Sequence, residues 1–173
     1  LPAPALLAEI RGSGQACERA MFAATAGVNT HKGAVFSMGV LCASAGRLAG
    51  RGATLTMATL CAESAAMCEG LVERELQSQA SGCGPLAPVA TAATTATTAG
   101  ERLFQRHGLR GVRGEAASGF ATARQHGVRA YLDAVRRGAS DEHARLEALI
   151  ALMAHNPDTN LVARGGLAGL AWV

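Results

Sequence analysis

From Ala5 to Ala26 the apolar positions Leu7, Ile10, Cys17, Ala20, Met21 and Ala24 recur at helical spacing and predict an amphipathic helix. Gly12-Ser13-Gly14 interrupts that pattern and predicts a break into two helices, with Gly27 as the glycine that ends the second. His31 to Leu48 is apolar nearly all round, which is the pattern of a central, buried helix closed by Arg47–Gly52. A long helix is predicted over Thr54–Gln79, with Leu60, Ser64, Met67, Leu71 and Glu75 on one face and Glu63, Glu73 and Arg74 on the wet side. Ser81–Gly100, rich in Ala and Thr with Pro85 and Pro88, reads as a loop, and the Thr98/Glu101 spacing starts a short helix through Arg106. A Gly/Arg loop, His107–Gly114, precedes a helix predicted from Glu115 to Arg137. Ser140 caps the next helix, whose buried stripe is expected to be Leu146, Leu149, Ile150 and Met153. Asn156–Asn160 then forms a turn in which Asp158 caps a last helix, Leu161 to Val173.

Few β-branched residues fall in alternating runs, so the fold class is all-α: a compact bundle of about six to eight helices in one domain, residues 1–173, with functional loops at helix N-termini. Aromatic residues are only 3% of the chain, so Ala, Leu, Val and Met must build the core. The net charge of +3 is too small, with so few aromatics, for nucleic-acid binding. The nearest approach to a membrane span, Ala34–Ala45, is shorter than the ~18 apolar residues required, and the opening Leu-Pro-Ala-Pro lacks the basic region of a signal peptide. The five cysteines form no C-x-x-C pair and read as small core residues of a reducing, cytoplasmic protein.

Candidate chemistry concentrates in three glycine-rich loops. In the first, Gly27–Gly33, Thr30 is the expected N-cap, so His31, Lys32 and Gly33 would form a first helical turn with free N–H groups. Lys32, the sole lysine, adds a full positive charge, and together with Asn29 this turn suits a phosphate; a plainly capped helix is the alternative. In the second, glycines at 108, 111 and 114 alternate with Arg110 and Arg113, which bind phosphate oxygens bidentately, and Glu115 follows as a carboxylate for Mg²⁺ or for proton transfer. A solvated turn is the alternative there. The third offers Asp158 and Asn160 as oxygen ligands for a hard cation, followed by Arg164, although Asp158 could serve only as a cap. No G-x-x-x-x-G-K-[ST] motif is present, which excludes the common nucleotide-binding loop.

Three blocks, Gly-Val-Asn-Thr-His-Lys-Gly-Ala-Val-Phe-Ser (27–37), Gly-Val-Arg-Gly-Glu-Ala-Ala-Ser-Gly-Phe (111–120) and Asp-Thr-Asn-Leu-Val-Ala-Arg-Gly-Gly-Leu (158–167), resemble the triphosphoribosyl-dephospho-CoA synthase family. That resemblance implies an all-helical transferase that joins ATP, as Mg-ATP, to 3′-dephospho-CoA and releases adenine. The product is the prosthetic-group precursor for the acyl carrier subunit of malonate decarboxylase or citrate lyase. It implies Lys32, with the turn at 31–33 and Arg113, on the triphosphate. Asn29, Thr30, Gly33, Arg110, Asn160 and Arg164 are further substrate contacts, Asp158 and Glu115 hold Mg²⁺ or supply a base, and His31 is either an acid toward adenine or a phosphate contact. The family's upstream Pro-Gly-Leu-Val-Asp-type and downstream Asn-Leu-Ser-Pro-Gly-Gly-type motifs have no counterpart here. The chain is therefore expected to be the central part of a longer family domain, with part of the site either missing or supplied by a separate piece of chain. A helical module that binds ATP or a CoA derivative without turnover is the alternative.

Overall fold

A computed structural model describes residues 1–77 and 99–171, and every regular element among them is helical. The all-α expectation holds. The chain divides into two compact units, Leu1–Leu71 with Val112–Phe120, and Val72–Gly111 with Ala121–Val173.

In the first unit α1 (Ala3–Ala24), α2 (Lys32–Gly50) and α3 (Met57–Met67) pack on one another. α1 runs unbroken through Gly12-Ser13-Gly14, contrary to the predicted break. Two glycines cost a helix about 2 kcal/mol at most, and the length of α1 and its packing on both neighbours outweigh that. Its buried residues are Ala3, Leu7 and Met21, whereas Cys17, Ala20 and Ala24 of the expected stripe are exposed. At its end Ala26 takes the left-handed position (φ 51°), and Gly27 (φ 83°) donates its N–H to Phe22 O at 2.8 Å, so Gly27 lies one place beyond the one expected.

α2 buries a single stripe, Val40, Ser44 and Leu48, rather than its whole circumference, and Met38 is 57% exposed. By length and composition alone α2 could cross a membrane, a property that soluble core helices share. Between α2 and α3 the buried hydroxyls satisfy each other. Ser64 Oγ donates to Leu60 O at 2.9 Å, and Ser44 Oγ lies 3.0 Å from Ser64 Oγ and 3.2 Å from Met67 Sδ. Glu63, expected on the wet side, is instead largely buried (11% exposed) because it pairs with the equally buried Arg47 of α2, and with the exposed Arg51 at 3.7 Å.

α3 is much shorter than the helix predicted over 54–79. Thr56 and Thr59 close a reciprocal cap at its start, and Gly70 (φ 67°) turns the chain after Cys68. A π-helical turn, Glu73–Gln77, follows in the second unit. The expected loop over 81–98 and the Thr98 cap lie outside the described residues, and residues 99 and 100, expected to be its last two, begin α4 (Ala99–His107).

α5 (Gly111–Ala117) starts four residues earlier than predicted, so Val112, Arg113 and Gly114 are helical rather than loop. The helix expected to run on to Arg137 is interrupted: Gly119 and Phe120 both have positive φ (67° and 57°), and Phe120 donates its N–H back to Glu115 O at 2.8 Å. The reason is close packing, because a Cβ on Gly119 would lie 2.7 Å from Cys61 O. The chain then re-enters a helix through a π-helical turn, Ala123–Val128, and continues as α6 (Arg129–Arg136).

α7 (Asp141–His155) packs against α6 and that π turn. Ser140 caps it as predicted, its Oγ accepting the His143 N–H at 3.3 Å. Its buried face is not the expected one: Leu146, Leu149, Ile150 and Met153 are all exposed, and Ala144 is the buried residue. Small residues face the neighbours, with Gly127 so close to Leu152 that a Cβ there would clash at 2.9 Å. α8 (Thr159–Ala171) packs on α4 and is bent at Gly166, whose φ is 64°.

Candidate functional site

The first loop meets α2 differently from the pattern expected of Thr30. The N-cap position is His31 (φ −153°), whose side chain makes no capping bond; Asn29, two residues earlier, accepts the Lys32 N–H on its Oδ1 at 3.0 Å, while Thr30 Oγ1 lies 2.7 Å from His31 Nδ1. Lys32 is therefore the first helical residue, one later than expected. The backbone N–H of His31 is directed to Met21 Sδ at 3.4 Å, which ties the loop to α1. One turn earlier on α1, Glu18 holds the Lys32 ammonium at 3.0 Å. Among the described residues the N–H groups of Gly33 and Ala34 meet no acceptor, so the start of α2 offers two free donors beside a lysine.

Within the same unit a Cβ built on Gly33 would stand 4.0 Å from Val112 Cβ, so the start of α2 comes within van der Waals reach of the residue that precedes Arg113. The side chains of Arg113 and Glu115 are half-buried, and each has a partner of its own. Glu115 stands in the body of α5 rather than at its first turn, because the helix begins at Gly111.

The second unit holds the remaining candidates. Asp158 caps α8, its Oδ1 accepting the N–H groups of Asn160 at 2.6 Å and Leu161 at 3.3 Å. The predicted cap is therefore real, and among the described residues the other carboxylate oxygen makes no capping bond. Gly111 (φ 54°) approaches this helix start, its would-be Cβ 3.4 Å from Thr159 Cγ2, which brings the Arg110 segment beside Asp158 and Asn160. Arg110, Asn160 and Arg164 are exposed. Among the described residues no three His, Cys, Asp or Glu side chains cluster as a metal cage. One residue that local sequence patterns did not mark is Glu18, fourteen positions before Lys32; only the packing of α1 on α2 brings the two together.

Comparison with known proteins reaches the whole chain. The curated relatives include a probable 2-(5''-triphosphoribosyl)-3'-dephosphocoenzyme-A synthase of Albidiferax ferrireducens, 56% identical over 173 residues that cover 100% of this chain and 53% of the relative. The synthase of Pectobacterium atrosepticum is 51% identical over the same span and share. A probable synthase of Vibrio cholerae is 44% identical over 172 residues, 99% of this chain and 51% of the relative. The chain thus spans about half the length of the curated relatives it matches. No solved structure matches it. The family match extends over residues 3–173, and the chain belongs to the ATP:dephospho-CoA triphosphoribosyl transferase family.

Proposed function

We propose that this chain carries the triphosphate-binding part of an enzyme that transfers the triphosphoribosyl group of ATP to 3′-dephospho-CoA with release of adenine. The observation that carries the reading is the start of α2, where Lys32 stands beside two N–H groups that meet no acceptor among the described residues. Helix N-termini and cations hold phosphate oxygens without cleaving them, and this reaction requires that the triphosphate be kept.

In the transfer the bond from C1 of the ribose to adenine breaks, and the 2′-hydroxyl oxygen of dephospho-CoA bonds to C1. The hydroxyl proton goes to a base and the leaving adenine takes up a proton. The transition state has oxocarbenium character, so a carboxylate near C1 and an acid at adenine lower its energy. Glu115 and Asp158 are the carboxylates assigned to the base and to Mg²⁺, and His31, exposed at the loop, is assigned to adenine or to phosphate. Asp158 retains one oxygen beyond its capping bonds, which suits Mg-ATP, since Mg²⁺ keeps its phosphates and waters and takes only one or two carboxylates from a protein. The product would serve the acyl carrier subunit of malonate decarboxylase or citrate lyase, in the cytoplasm.

Lys32→Ala should weaken ATP binding at least ~10-fold, the loss of ~1.4 kcal/mol, in calorimetric titration of the chain. Unchanged affinity would remove Lys32 from the phosphate site.

A further inference from the structure

Two consecutive residues at the start of α2 are pinned to one face of α1. Met21 Sδ receives the His31 N–H, and Glu18, one turn before Met21, holds the Lys32 ammonium. Glu18 is half-buried while its neighbours Cys17, Arg19 and Ala20 are exposed, so the carboxylate is turned toward α2 rather than into solvent. The Glu18 side chain is 25% exposed and that of Lys32 42%, so the ammonium remains open to solvent on its other side.

We infer that Glu18 sets the anion affinity of this site by acting as the counter-charge that Lys32 gives up when it takes phosphate. The inference rests on the reading of Lys32 as a phosphate contact. An incoming polyphosphate competes with the carboxylate for the same ammonium, and the two negative groups repel each other at close range. Glu18 thereby keeps Lys32 extended along α1 while the site is empty, and it lowers affinity for anions that offer less charge than a polyphosphate. Glu18 is a positioning and affinity-setting residue and takes no part in bond making.

The test is calorimetric titration of the whole chain with inorganic tripolyphosphate, using wild type, Glu18→Gln, Lys32→Gln and the double variant, with the melting temperature of each recorded. The expected result is binding about fivefold tighter in Glu18→Gln, the scale set by one exposed ion pair, with no such gain when Lys32 is already Gln. Glu18→Ala should behave like Glu18→Gln, and Glu18→Asp, which keeps the charge, should stay within about twofold of wild type. A Glu18→Gln affinity equal to or below wild type, with Lys32→Gln still weakened, overturns the counter-charge role and leaves Lys32 on the phosphate. A gain that persists without Lys32 also overturns it, because the carboxylate would then act on the anion directly. Wild-type binding by Lys32→Gln overturns the phosphate reading of Lys32, and this inference with it.

Discussion

Tyr131 donates its hydroxyl to Asp141 Oδ1 at 2.7 Å, and Asp141 also holds Arg145 at 2.6 Å. The hydrogen bond to Asp141, and then the charge of that carboxylate, hold the Tyr131 hydroxyl above the ordinary tyrosine range. Because the folded-state value is raised, whatever stability the pair contributes is fully present below the unfolded tyrosine value. It is lost as pH rises through the folded value. Tyr131 is the sole tyrosine, so ultraviolet titration reports it alone. Asp141→Asn should move its ionisation downward toward the ordinary value, and an unmoved midpoint would show that Asp141 is not the cause. Residue-scale features of this local kind were legible in the sequence: Ser140 and Asp158 cap their helices as their types and positions predict. The N-cap at His31 in place of Thr30 was not, because the helix starts where the backbone angles turn helical, and a sequence pattern fixes that only to within a residue or two.

At the scale of elements, a glycine punctuates this chain where a left-handed conformation is required, and the pattern did not mark which glycines those are: it predicted a break at Gly12-Ser13-Gly14 and an unbroken helix through Gly119. The Gly12-Ser13-Gly14 run breaks nothing, since no Cβ contact or positive φ accompanies it. Gly119 ends α5 because the chain there must reverse against the Cys61 carbonyl. Gly119→Ala combines a left-handed residue with a Cβ 2.7 Å from that oxygen, and should cost about 2–4 kcal/mol in urea unfolding. A loss below about 0.5 kcal/mol would mean that this reversal is not under the strain described. The helix pattern also misassigned a face. On α7 the larger side chains, Leu146, Leu149, Ile150 and Met153, form a regular stripe, yet Ala144 and the Gly127–Leu152 contact make the interface. Periodicity locates an apolar face, but in a chain this rich in alanine and glycine the small-residue face is the one that permits close approach of helices.

At the scale of the molecule, the all-helical class was legible because alanine- and leucine-rich segments with capping residues at their ends admit little else. The family was legible in the three blocks at 27–37, 111–120 and 158–167, and the match over residues 3–173 bears that out. Contacts inside each unit needed the structure: in the first, Gly33 comes within reach of Val112, and in the second, Gly111 comes within reach of Thr159. The pairing of Glu18 with Lys32 joins two helices across fourteen residues and leaves no periodic trace in sequence.

The proposed transfer uses ATP as a donor of its triphosphoribosyl group and not of a phosphoryl group. The chain covers about half the length of the relatives it matches, so the decisive measurement uses the chain together with polypeptide matching the rest of such a relative. That mixture is incubated with Mg-ATP and 3′-dephospho-CoA and its products are separated by chromatography. The expected product is adenine, released one for one with a dephospho-CoA adduct that retains all the phosphates of ATP. ADP or AMP in place of adenine, or ATP bound but recovered intact, would contradict the proposed transfer.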